Sequence, residues 1–169
     1  MTEVLKEQAA QEDSLQSLQA ELRTIIVQIA QRLGYPRSLG EIYGLLYVSE
    51  DPMSMEEIRA ELNMSLGSAS QGLKTLRTLK AVKTQQVEGV RKDFFVAETN
   101  FRHLVSGFLR EEIMPELDAT RSKIADLESW GKEISEDKAA FFGPRVAQVK
   151  NLNGAARRLI PIINQFIRT

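Results

Sequence analysis

The sequence has no cysteine, one histidine and one tryptophan among its 169 residues. Without cysteine there is neither a disulfide framework nor a thiolate metal site. The single histidine, His103, has no second imidazole with which to share a metal and no thiol to activate. No apolar run approaches the ~18 residues that suggest a membrane span. The first residues, Met1-Thr2-Glu3-Val4-Leu5-Lys6-Glu7, lack a basic region followed by an apolar one, so no secretion signal is expected. There is no phosphate-cradling glycine loop. Glu56-Glu57 and Glu111-Glu112 read as solvated helix charges and not as a catalytic carboxylate pair. These absences lead to the expectation of a cytoplasmic protein that is not an enzyme, with no cofactor and no metal.

At 43 % hydrophobic and 27 % charged residues the composition is that of an ordinary globular protein. The length fits one domain, or one small domain with helical extensions. The net charge of −1 gives no reason to expect a polyanionic partner, but the distribution of charge does. From Ser65 to Lys92 there are six basic residues (Lys74, Arg77, Lys80, Lys83, Arg91, Lys92) against one acidic residue, Glu88. From Glu50 to Glu61 there are five acidic residues and one basic. A local positive surface is what meets phosphate.

The segment Ser54–Val96 is the most informative. Ser54-Met55-Glu56-Glu57 is a capping box that opens a short helix, with Met55, Ile58 and Leu62 on one face. A break at Asn63-Met64 leads to Ser65, a good N-cap for a second helix. Then come Val82–Val87, a turn at Glu88-Gly89-Val90, and Arg91–Val96. Helix, turn, helix and hairpin is the plan of a winged helix-turn-helix, whose second helix can enter the DNA major groove.

The flanks are helical. Residues 1 to about 11 are polar and expected to fray. Leu15, Leu18, Leu22, Ile25 and Ile29 follow at spacings of three and four, a coiled-coil-like seam ending near Gly34 and Pro36. A helix after Ser38 carries Leu39, Ile42, Tyr43 and Leu46, with Gly40 and Gly44 one turn apart for close backbone approach. Asp51-Pro52 marks a turn. Beyond the hairpin, Thr99 or Asn100 caps a long helical pattern that Pro115 should kink or split and Gly131 should end. Gly143-Pro144 is expected to introduce a last helix, bent at Pro161. The central domain is too small to cover all the flanking apolar stripes. A homodimer is therefore expected through Leu15, Leu18, Leu22, Ile25, Ile29, Leu117, Ile124, Leu152, Leu159 and Ile163. The alternative is a monomeric bundle of these helices.

The chain resembles the MarR-type winged-helix transcriptional regulators, and within them the branch that controls glycine betaine synthesis and osmoprotectant uptake. The matching stretches are Leu39–Tyr47, Met53–Ile58, Ser65–Leu76, Gly89–Phe95 and Leu109–Pro115, within about Leu33 to Leu127. Val90 stands where this branch usually has an acidic residue, which bears on how Arg91 is held. The resemblance implies a mainly α fold with a small β-hairpin wing. Its parts are a dimerisation helix (1–34), the winged domain (35–99) and a C-terminal helical dimerisation region (100–169). The implied function is a repressor of double-stranded DNA sites, with a recognition helix at about 65–80 and a wing at about 82–97. A small-molecule effector bound between winged domain and dimerising helices is also implied. If that effector is a quaternary ammonium, its cage would come from Tyr43, Tyr47, Phe94, Phe95, Trp130, Phe141 and Phe142.

The residues themselves suggest the roles. Ala69, Leu73 and Leu76 form the buried stripe of the second helix, so Ser68, Gln71, Lys74, Thr75 and Thr78 project outward to base edges and phosphates. Gln71 suits adenine. Ser65 and Ser68 lie at the helix N-terminus, which attracts phosphate. Gly67 allows close approach, and Ser70 can bond phosphate or its own backbone. Arg91 suits a narrow minor groove, while Lys92, Lys83 and Arg37 suit phosphate. Asp93 either orients Arg91 or caps the hairpin, and Phe94 and Val96 are expected to point into the core. The competing function is a winged-helix module that binds proteins and not DNA.

Overall fold

The computed structural model describes residues 2–87, 89 and 91–168, without the side chains at 2–6, 9, 167 and 168. Glu88 and Val90, two of the three residues expected in the wing turn, lie outside the described residues. The chain divides into two compact units, Met1–Thr99 and Asn100–Thr169.

The first unit opens with α1 (Thr2–Arg32) and α2 (Arg37–Val48). Residues 2–11, expected to fray, continue α1 as helical backbone. Glu, Lys, Gln and Ala dominate this stretch and are all strong helix formers. Gly34 closes α1 at φ +86°, and the N–H of Tyr35 reaches back to the Ala30 carbonyl at 3.0 Å. α2 starts at Arg37, earlier than expected, because Pro36 serves as its N-cap and accepts the Leu39 N–H at 3.0 Å. The paired glycines act as read from the sequence. A Cβ at Gly40 would lie 2.8 Å from the Val27 Cα, and one at Gly44 would lie 3.4 Å from the Arg23 Cα. The α1 and α2 backbones therefore nearly touch.

Next come β1 (Met53–Ser54), α3 (Met55–Glu61), α4 (Leu66–Thr78), β2 (Val82–Gln86) and β3 (Asp93–Ala97). The hairpin thus gains a third strand that the sequence reading lacked. The antiparallel order is β1-β3-β2, with Phe95 paired to Met53 on one side and Thr84 on the other. This register corrects the expected alternation. Phe95 is the buried residue, 6 % exposed, while Phe94 and Val96 are half-buried. A shift of one residue exchanges the two faces of a strand. The face kept inward carries Phe95 with Val82, over the core of Leu39, Ile42, Leu45, Leu46, Ile58, Leu73, Leu76 and Leu79.

The second unit contains α5 (Phe101–Phe108), a π-helical stretch at Leu109–Ile113, α6 (Met114–Trp130) and α7 (Glu136–Arg168). Asn100 caps α5 by accepting the Arg102 N–H at 3.0 Å. The expected break at Pro115 takes the form of the π stretch, and the proline sits in the first turn of α6, where no N–H is needed. α6 ends at Gly131 as expected. α7 begins at Glu136 and not at Gly143-Pro144. Glu136 and Asp137 suit the positive helix start, the Ala139 N–H bonds the Ser135 carbonyl at 2.9 Å, and Pro144 is absorbed inside the helix. α7 runs back along α6. Lys150 pairs with Glu128 at 2.7 Å, Asn153 donates to the Leu117 carbonyl at 3.0 Å, and Arg157 pairs with Asp118.

Candidate nucleic-acid interface

The candidate interface is built on α4. Ser65 caps it, its hydroxyl oxygen accepting the Ser68 N–H at 3.1 Å. Ala69, Gly72, Leu73 and Leu76 are buried. A Cβ at Gly72 would come within 2.4 Å of the Ile42 Cδ1, so α4 lies tight against α2 at this point. With that face inward, Ser65, Gly67, Ser68, Ser70, Gln71, Lys74 and Thr78 are exposed, and Thr75 is half-buried. The hydroxyls of Thr75 and Thr78 donate to the carbonyls of Gln71 and Lys74 at 3.0 and 3.2 Å. Their protons are thereby engaged on their own helix, which leaves Ser68, Ser70, Gln71, Lys74 and Arg77 among the outward polar groups. Around Gly67 a Cβ would meet nothing within 4 Å. The surface there is open.

α3 supports α4 from behind. Its capping box forms as read: the Ser54 N–H and hydroxyl both donate to Glu57 Oε2 at 2.7 Å, and the Glu57 N–H donates to Ser54 Oγ at 3.4 Å. These hydrogen bonds from Ser54 hold the Glu57 carboxyl below its ordinary pKa range, and the nearby Lys92 charge adds to the effect. Burial beside Tyr47 and Glu98 pushes the Tyr43 hydroxyl well above its ordinary value, and that hydroxyl donates to the Glu98 carbonyl at 2.7 Å.

The expected phosphate-binding cations fall into two groups. Arg37 pairs with Glu41 at 2.7 Å. Lys83 pairs with Glu98 at 2.5 Å. Lys92 lies 5.2 Å from the centre of the Phe94 ring. Among the described residues Lys74 and Arg91 have no ion pair, and both are exposed. No ion pair joins Asp93 to Arg91 among the described residues. Asp93 instead begins β3, opposite Gln86. Glu98 is the residue the sequence reading passed over. It is 6 % exposed, and its only signal was a single acidic residue closing the apolar run Phe94–Ala97.

The residues expected between subunits also divide. Leu15, Leu18, Leu22, Ile25 and Ile29 are exposed along α1, as are Leu152, Leu159 and Ile163 along α7. Leu117 is half-buried. Ile124 departs from the expectation: it is 4 % exposed, already covered within the single chain. The cage aromatics lie in separate settings. Phe95 is core, the Tyr43 and Tyr47 rings lie tilted to each other with centres 5.8 Å apart, and Phe141 lies edge-on to Phe142 at 5.0 Å. Trp130 and Phe142 line a groove of about 690 Å³ in the second unit, together with Leu127, Ile134 and Val146. Among the described residues no group of three or more histidine or acidic side chains could hold a metal. No described helix is long and apolar enough to cross a membrane.

The chain is similar to the HTH-type transcriptional repressor GbsR of Bacillus subtilis (strain 168), with 36 % identity over 111 residues, 62 % of this chain and 61 % of the relative. It spans about three fifths of the length of that curated relative. The fold is shared with a solved structure described as a transcriptional regulator, which superposes at a TM-score of 0.59 with 15 % identity over 87 % of this chain and 98 % of the other. A looser likeness, at a TM-score of 0.41 and 17 % identity, is to a Staphylococcus aureus MepR variant bound to an oligodeoxyribonucleotide, over 83 % of this chain and 95 % of that one. No protein-family model matches the chain.

Proposed function

We propose that this chain is a MarR-type, homodimeric DNA-binding transcriptional repressor. α4 enters the major groove of a pseudo-palindromic site and the β2–β3 wing follows the adjacent backbone. One observation carries the reading: α4 turns Ser68, Gln71 and Lys74 outward from a helix whose other face is fixed in the core. Gln71 reads a base edge, Lys74 and the free N–H groups at the start of α4 hold phosphates, and Arg91 enters the minor groove. GbsR is itself named a repressor, which supports the same reading. The exposed apolar rows of α1 and α7 pair across a two-fold axis, which suits half-sites one helical turn apart. A small effector would act by preferring one spacing of the two recognition helices. Choline and glycine betaine are the first ligands to try by calorimetry.

The test is a gel-shift series on a duplex that the protein itself enriches from a random-sequence library. Arg91→Ala is expected to weaken binding by about 1–3 kcal/mol, and Gln71→Ala to relax preference at one base position. Unchanged affinity in both variants would favour the competing protein-binding module. Sedimentation that finds single subunits at all concentrations would remove the dimer.

A further inference from the structure

The α6–α7 pair of the second unit encloses a cavity of about 390 Å³. One face of each helix lines it. Arg121, Ala125 and Glu128 come from α6, and Lys150, Gly154 and Arg157 from α7. Ile124 and Asn153 form its inner wall, and both are buried. Small residues leave the space. Gly154 lies well inside a helix of 33 residues, where glycine is a poor helix former. A Cβ at that position would meet only the Arg158 side chain, at 3.8 Å, and the backbone there is not left-handed. Neither close packing nor a turn therefore calls for glycine. What the missing side chain leaves is room.

The charges around this room do not balance. Lys150 pairs with Glu128 at 2.7 Å, and Arg157 pairs with Asp118. Arg121 is exposed and has no ion pair or hydrogen bond among the described residues. Three cations thus line the cavity, and two carboxylates answer them. Arg157 engages Asp118 through Nη1 and keeps further N–H donors. Asn153 adds an acceptor. Its Nδ2 donates to the Leu117 carbonyl at 3.0 Å, and its Oδ1 accepts no hydrogen bond among the described residues. No fully buried side-chain oxygen or nitrogen among them lacks a partner, so this oxygen is open to the cavity. We propose that the cavity binds a small hydroxylated organic anion. Its carboxylate or phosphate group rests on Arg121 and Arg157, and its hydroxyl donates to Asn153 Oδ1. Guanidinium forks match the paired oxygens of either head group. The volume falls in the range of small-molecule pockets, roughly 300–1,000 Å³. The site goes beyond the DNA-binding reading and does not rest on it. It differs in lining and in charge from the aromatic cage that a quaternary ammonium would need.

The test is titration calorimetry on the full chain, without DNA. The probes are 3-hydroxybutyrate for the carboxylate and glycerol 3-phosphate for the phosphate, with butane-1,3-diol and glycerol as their uncharged counterparts. At least one anion is expected to give saturable heat at one site per chain, and its uncharged counterpart none. The anion that binds more tightly identifies the head group. Arg121→Gln is expected to weaken that binding by about tenfold or more. Lys123→Gln, an exposed cation on the same helix but outside the cavity, is expected to leave it unchanged. Gly154→Leu keeps every charge and fills the room, so it is expected to abolish binding while melting no lower than wild type. No saturable heat from either anion would overturn the proposal. Equal weakening by Arg121→Gln and Lys123→Gln would also overturn it, since the attraction would then be general charge. So would binding that survives Gly154→Leu. If neither anion binds and Gly154→Leu weakens self-association in sedimentation, the room belongs to a second copy and the proposal falls. If Gly154→Leu does not fold, the comparison of Arg121→Gln with Lys123→Gln decides alone.

Discussion

The two units bury their apolar residues very differently. In the first, ten buried apolar side chains drawn from α2, α3, α4, the end of α4 and the sheet form one cluster. In the second, Ile124 is the one apolar side chain buried among the described residues. Leu152, Phe166 and Phe101 are 72 %, 84 % and 72 % exposed. Both units are helical, capped where a cap is needed and tied by ion pairs, so regular secondary structure does not distinguish them. What differs is whether an element finds its apolar partner within the chain. In the first unit α2, α3, α4 and the sheet meet that condition, while the row Leu15, Leu18, Leu22, Ile25 and Ile29 of α1 stays exposed. The second has long helices whose apolar side chains call for another surface, and the proposed second copy supplies one.

The largest expected effects test this contrast directly. Ile58 is fully buried, so Ile58→Ala should destabilise the protein by about 2–5 kcal/mol in urea unfolding. Leu152→Ala should change intrinsic stability by no more than about 0.5 kcal/mol, while raising the concentration needed for self-association in sedimentation runs. Equal losses from the two would mean that the units do not differ as described.

A smaller loss is expected where helices touch. In Gly40→Ala the new methyl meets the Val27 backbone at 2.8 Å, which should cost about 1–3 kcal/mol through overpacking. Calorimetric melting of this variant reports how rigidly α1 is held within the first unit. A melting temperature equal to wild type would mean that α1 shifts freely.

The smallest effect concerns the cap of α3. Ser54→Ala should cost about 1 kcal/mol. Because the folded carboxyl of Glu57 has a lowered pKa, its contribution is present above the ordinary glutamate range and disappears as pH falls through the folded value. Wild type should therefore lose more stability than Glu57→Gln when acidified below about pH 5. Parallel acid limbs in urea titrations of the two proteins would contradict the cap's charged form.

Features that rest on neighbours in sequence were the ones the sequence revealed. The Ser54–Glu57 box, the Ser65 cap, the glycine contacts of α2 and the Ala69–Leu73–Leu76 stripe each span a turn or two of helix. Their chemistry follows from spacing alone. Features that rest on distant partners were hidden. Strand β1 is two residues long, too short to show any alternation, yet its pairing with β3 accompanies Phe95, and not Phe94, as the core residue. Lys83 and Glu98 lie fifteen positions apart, and nothing local says that one neutralises the other. Gly143-Pro144 reads as a helix start because both residues break helices, but the acidic turn at Glu136 starts α7 sooner. On the proposed DNA-facing side, the exposed positions of α4 were legible. Which cations were already occupied was not: Lys83 depends on the distant Glu98, and the Arg37–Glu41 pair, four residues apart on α2, carries a local signal that was passed over.

The contact between positions 72 and 42 bears on how such a protein can be retargeted. A side chain larger than hydrogen at 72 has to displace the Ile42 Cδ1, the end of a buried side chain, so a change at 72 also repacks 42. Positions 68 and 71 carry no such constraint. On the proposed DNA-binding reading, a library that randomises these two and keeps 42 and 72 fixed would sample new base preferences on an unaltered scaffold.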